Sequence, residues 1–164
     1  MIHDAYGPND EKETLCCLAV GFKQQNETYE LVSWEAGFCY SDKITRKISC
    51  ISSIERYCLK ALTQELLYCK AQEIPVVTYR TMDIPALRLR FLYHRIPISL
   101  RGIRYICLQQ IFQDHFLLQR RNHNYASVAE MAETMNINTT DATLTEIIYE
   151  LYTRALPLLP TGVI

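Results

Sequence analysis

The chain reads as an α/β domain built on a mixed sheet. Three observations predict it. Two β-rich runs separated by a short polar turn occupy residues 15–34, which suggests an antiparallel hairpin. A helix-period segment then leads through Pro75 into a second apolar run, Val76-Val77-Thr78-Tyr79, as in a parallel crossover. Most of the remaining sequence has helical spacing. The 164 residues are expected to form one domain over 1–164, with about half of them apolar (49%) and a fifth charged (21%).

Taken in order, residues 1–6 form a short strand-like start. Residues 15–22, Leu-Cys-Cys-Leu-Ala-Val-Gly-Phe, are continuously apolar and of strand length, as in a strand covered on both faces. Residues 28–34 are rich in β-formers. Residues 36–49 read as the main long loop. Ser52 and Glu55 have the spacing of a capping box, and the helix they open runs to about Ala71. A helix after Asp83 carries Pro85 in its first turn and ends near His94, because Pro97 forbids continuation. Residues 103–118 form one amphipathic segment. Ser127 and Glu130 offer a second capping box, for a helix ending near Asn136. A last helix runs from Asp141 to Leu156 and stops at Pro157 and Pro160.

Composition narrows the functional classes. No apolar run is long enough to span a membrane, and residues 1–6 lack the basic start and apolar stretch of a signal peptide, so a cytoplasmic protein is expected. Seven cysteines without any Cys-x-x-Cys pair signal neither a zinc site nor a disulfide framework; reduced core cysteines are expected. Histidines 94, 115 and 123 are isolated. The net charge is −1 but unevenly spread: residues 80–121 hold eight arginines and two acids, whereas residues 1–35 hold seven acids and two bases. A basic middle suits phosphate.

The most informative stretch is residues 76–90, where a buried strand stops and releases Asp83 at the start of an arginine-bearing helix. Asp4 follows the strand-like start, and Asp141 opens the last helix. Carboxylates from distant segments are what a hard divalent cation takes, and two such ions roughly 4 Å apart serve phosphodiester cleavage. Taken singly, each aspartate is more readily read as a helix cap or dipole partner than as a metal ligand. Arg80, Arg88 and Arg95 are the candidate phosphate contacts, because guanidinium forks onto phosphate oxygens. Tyr79, Phe91, Tyr93 and Tyr105 either stack on bases or pack in the core.

From Met1 to Leu156 the pattern resembles the DEDD-type 3′–5′ exonucleases of ribonuclease H-like fold, nearest to the proofreading-type domains of B-family DNA polymerases. His3-Asp4-Ala5-Tyr6 matches the strand that carries Asp-x-Glu in that family. The stretch from Val77 to Arg90 is similar to the motif that ends a strand in Asp and runs into Pro and a basic helix. Residues 127–137 are similar to the family's Ser-Leu-x-x-x-Ala helix, and Asp141 to Tyr149 resembles its last motif. The resemblance implies metal ligation by Asp4, Asp83 and Asp141 with magnesium or manganese. It also implies nucleic acid, DNA or RNA, as the partner.

The departures are specific. Tyr6 stands where the family has Glu, Cys107 where it has an Asp on a preceding helix, and Asn136 or Ile137 where it has a Tyr or His base. One ion is then expected rather than two. Loss of a positioned base costs roughly 10²–10⁴-fold in rate. The expected function is therefore an exonuclease-like protein with weakened or lost hydrolysis. The alternative is a catalytically inactive nucleic-acid-binding or scaffold protein on the same fold, working with a protein partner or as a homodimer.

Overall fold

The computed structural model describes residues 12–116 and 127–159. A five-stranded mixed sheet lies between two layers of helices. Its strands are β1 (Leu15–Gln25), β2 (Thr28–Tyr40), β3 (Lys43–Ile51), β4 (Val76–Thr78) and β5 (Tyr105–Cys107), in the order β3-β2-β1-β4-β5. Strands β1, β2 and β3 form an antiparallel meander, and β4 and β5 continue the sheet parallel to β1. The helices are α1 (Glu55–Gln72), α2 (Asp83–Tyr93), α3 (Leu108–Phe116), α4 (Val128–Thr134) and α5 (Leu144–Ala155).

The central place of β1 explains its unbroken apolar run. Successive side chains of a strand point to opposite faces. Cys16, Leu18 and Val20 therefore join α1 and α2 in one core, while Leu15, Cys17 and Ala19 join α3, α4 and α5 in the other. Gly37 of β2 lies where α5 crosses the sheet. A Cβ there would meet the Thr145 Cβ at 3.2 Å and the Ile44 Cδ1 at 3.2 Å, so the missing side chain lets helix and strand approach closely.

Four expectations are corrected. Residues 36–49 are not a loop: β2 runs on to Tyr40, turns through Ser41 and Asp42, and returns as β3. Both turn residues have positive φ, 54° and 65°, the two-residue hairpin geometry that suits the twist of the strands. Residues 103–116 are not one helix, because Tyr105–Cys107 pairs with β4 before α3 begins; residues 117 and 118 lie outside the described part. Ser52 does not cap α1. Its hydroxyl accepts from the Ile54 amide at 3.0 Å, and the N-cap, Ile54, has no side-chain cap bond. The last helix is opened by Thr143, whose capping box with Glu146 is complete, while Asp141 sits before it with φ 59°. The strand-like start at residues 1–6 lies outside the described residues.

Three helices end alike. After α1, α2 and α4 the chain turns through Glu73, Arg95 and Asn136, each with positive φ. The next amides, of Ile74, Ile96 and Ile137, reach back to the carbonyls of Cys69, Phe91 and Ala132. This is the Schellman ending, with its apolar residue just beyond the left-handed one. It is usually built on glycine.

Candidate functional site

The residues singled out by sequence sit in quite different settings. Asp83 is the first residue of α2, at the C-terminal end of β4, where ligands of open α/β sheets commonly bind. It is only 3% exposed. The Arg80 Nε donates to its Oδ1 at 2.9 Å, and the same guanidinium donates through Nη2 to the Val20 carbonyl at 3.1 Å. Arg80 therefore ties Asp83 to the middle of β1 and is itself taken up by the fold. Burial pushes the Asp83 carboxyl up to about 6 from an ordinary 3.8, with the charge and hydrogen bonds of Arg80 pulling the other way.

Around Asp83 the ends of β4 and β5 are knitted together. The Cys107 Sγ donates to the Tyr79 carbonyl at 3.4 Å, the Gln109 amide donates to the same carbonyl at 2.8 Å, and the Gln109 Oε1 accepts from the Thr81 amide at 2.9 Å. Cys107 ends strand β5 rather than lying on a helix. The facing positions of β1 are Cys17, Leu18 and Ala19, with no carboxylate among them.

Asp141 is exposed in the turn before α5. Within α5, Thr145 is fully buried and donates its hydroxyl to Glu35 of β2. Asp4 and Tyr6 lie outside the described residues. Among the described residues no group of three or more His, Cys, Asp or Glu side chains could hold a metal ion. Asp83, already committed to a guanidinium, does not by itself offer a divalent ion a fitting site.

Arg88 and Arg95 are exposed, as are Arg101 and Arg104. No acid occurs in the sequence between Asp83 and Asp114. Of the five arginines in that interval, only Arg90 is ion-paired among the described residues, with Glu55. The charge of Arg88 reaches the Tyr105 hydroxyl of β5, and Arg104 immediately precedes that strand in the chain. The Tyr105 hydroxyl is buried there without a hydrogen-bond partner. Of the nearby aromatics, Tyr79 and Phe91 are core residues, whereas Tyr93 is 70% exposed.

Two carboxylate clusters escaped sequence reasoning. Glu55 accepts from the Leu31 amide at 2.6 Å, from Arg90 Nε at 2.9 Å and Nη2 at 2.5 Å, and faces the His94 Nε2 at 2.6 Å. Burial works to raise its pKa, but hydrogen bonds from Arg90, His94 and Leu31 outweigh it and hold the carboxyl below its ordinary value. Glu13 takes a bidentate fork from Arg46, both bonds 2.8 Å, and a hydrogen bond from the Tyr68 hydroxyl at 2.5 Å. These partners come from distant segments, so only the capping-box spacing of Ser52 and Glu55 marked the first cluster, and it pointed elsewhere.

A cavity of about 540 Å³ opens between the β2–β3 turn and α5, lined by Lys43, Ile44, Ile137, Tyr149, Glu150 and Arg154 among others. Its charges are mixed, and Lys47 at its wall is paired with Glu146 at 2.8 Å. Among the described residues no helix is long and apolar enough to cross a membrane. No protein-family model and no curated protein sequence matches the chain.

Proposed function

We propose that the protein binds nucleic acid through the exposed arginines of residues 88–104, on an exonuclease-type, ribonuclease H-like scaffold whose metal-dependent phosphodiester hydrolysis is weakened or lost. The observation that carries this reading is the set of exposed arginines, Arg88, Arg95, Arg101 and Arg104, in a stretch with no acid of its own. Exposed guanidinium groups without ion-pair partners keep their donors for phosphate. The mixed sheet flanked by helices accords with the scaffold. The reading of weakened chemistry is supported by Asp83, whose carboxylate accepts from Arg80.

Phosphate contact of this kind is sequence-tolerant and falls with salt, by roughly 0.7–0.9 in the log–log slope for each phosphate neutralised. Tyr93, exposed and with the Arg90 guanidinium 4.5 Å from its ring centroid, offers a face on which a base could stack. Arg80 contributes to holding Asp83 rather than to the ligand.

Fluorescence anisotropy with labelled single-stranded DNA and RNA tests the reading. Binding is expected at low salt and to weaken as salt rises. R88A/R95A is expected to flatten the salt dependence by about one to two slope units, whereas D83N leaves binding unchanged. If neither oligonucleotide binds at low salt, the reading is lost. Manganese-dependent shortening from the 3′ end, abolished by D83N, would instead establish a retained exonuclease.

A further inference from the structure

We propose that Cys50 and Cys58 form a reversible disulfide that ties the outermost strand, β3, to α1. All seven cysteines are free, yet six of them stand as neighbouring pairs: Cys16 with Cys69, Cys17 with Cys39, and Cys50 with Cys58. Trp34 sets the geometry of the third pair. It lies opposite Cys50 in the β2–β3 ladder, and its indole Nε1 donates to the Cys58 carbonyl at 2.9 Å. One rigid side chain thus fixes the strand and the helix that carry the two thiols. Cys50 packs against the same core to which Cys58 belongs.

Access separates this pair from the others. Cys16, Cys69, Cys17 and Cys39 are all buried, within the two cores. Cys50 is partly exposed on the edge strand, while Cys58 lies beneath it. That is the arrangement of an entry thiol and a resolving thiol.

The chemistry balances with a small-molecule disulfide such as oxidised glutathione as oxidant. The Cys50 thiolate attacks one glutathione sulfur, a mixed disulfide forms and one glutathione leaves as thiolate. Cys58 then gives up its proton and attacks the Sγ of Cys50, and the second glutathione leaves. Two protein thiols are oxidised, one glutathione disulfide is reduced to two thiols, and the protons pass to the thiolates released. Burial and the nearby Cys50 charge push the Cys58 thiol up to about 12. The second of these causes disappears once Cys50 is in the mixed disulfide.

The consequence falls on β3, whose one neighbour in the sheet among the described residues is β2. The chain between the two cysteines is short, so the tie constrains the unfolded state only modestly. Its main effect is to anchor an edge.

The test treats the folded full-length protein with oxidised glutathione, confirms an unchanged circular dichroism spectrum, and reads the intact mass and a non-reducing peptide map. The expected result is loss of two hydrogen atoms, a Cys50–Cys58 linked peptide, reversal by dithiothreitol, and slower amide exchange in β3. C50S, a change at a partly exposed site, is expected to fold and to lose the linkage. A stable glutathione adduct on Cys50 with Cys58 still free, seven free thiols at equilibrium, or a link between other cysteines would overturn the proposal.

Discussion

Glu55 and Asp83 are carboxylates that hold α2, one towards each end of the helix; Asp83 is buried and Glu55 half-buried, and their proton affinities are driven in opposite directions. Glu55 meets Arg90, His94 and a backbone amide. Among the described residues, Arg80 is the one side chain hydrogen-bonded to Asp83. Both lose water on folding, which favours the neutral acid. Three donor groups outweigh that loss at Glu55, whereas one guanidinium, shared with the Val20 carbonyl, does not outweigh it at Asp83. Burial alone therefore does not set the state of a carboxylate. The depth of burial and the donors aimed at the carboxylate set it together.

The sharpest way to break this contrast is Glu55→Ala. It leaves the Arg90 guanidinium largely buried without its partner, and removing one member of a buried ion pair costs about 3–5 kcal/mol. Urea denaturation at neutral pH is expected to show that loss.

Asp83→Asn tests the other side. A carboxyl whose pKa is raised on folding favours the folded state below its unfolded value and loses that contribution as pH rises through its folded value. Going from 3.8 to about 6 corresponds to about 3 kcal/mol of stability lost from acid to neutral pH. Asn accepts from Arg80 but does not ionise. The stability of D83N relative to the native chain is expected to climb by about that amount between pH 3 and pH 7. A difference that stays flat with pH would contradict the assignment.

His94→Ala removes one donor from Glu55 and is expected to cost about 1.5–3 kcal/mol, the range for hydrogen bonds to charged groups. Parallel titrations of the native chain and H94A should show the Glu55 carboxyl moving upward, towards the behaviour of Asp83. The smallest effect belongs to Arg95→Gly. The left-handed residue after α2 would no longer carry a Cβ, and a gain of about 0.5–1 kcal/mol in thermal or urea unfolding is expected.

Particular elements show what the sequence made legible. The unbroken apolar run of β1 and the β-rich start of β2 predicted the hairpin, and Pro75 and Pro97 placed the ends of α1 and α2 closely. Strand β3 was hidden because it is an edge. Its exposed face carries Lys43, Thr45, Lys47 and Ser49, and its turn, Ser41-Asp42, lacks the Asn-Gly that usually marks such a hairpin. Strand β5 was hidden because Cys107 is followed directly by Leu108 of α3, so strand and helix read as one apolar segment. At the site, the pairing of Arg80 with Asp83 is local and was open to inspection. The grip of Leu31, Arg90 and His94 on Glu55 spans β2, α1 and α2 and exists only after folding. The Thr143–Glu146 capping box was present in the sequence, but the nearby Asp141 drew the helix start to itself.

The layout of the sheet also sets an order in time. Strand β1 reaches β2, and β2 reaches β3, across two-residue turns. Its other edge waits for β4, since Cys16 pairs with Val76 across the whole meander and α1. Local contacts form before distant ones repay the entropy of closing a long loop. In stopped-flow measurements, Ser41→Asn with Asp42→Gly is expected to speed refolding, whereas Val77→Ala mainly speeds unfolding. The half of the sheet formed by β4 and β5, which leads into α2 and Asp83, is then the last to assemble and the first to come apart.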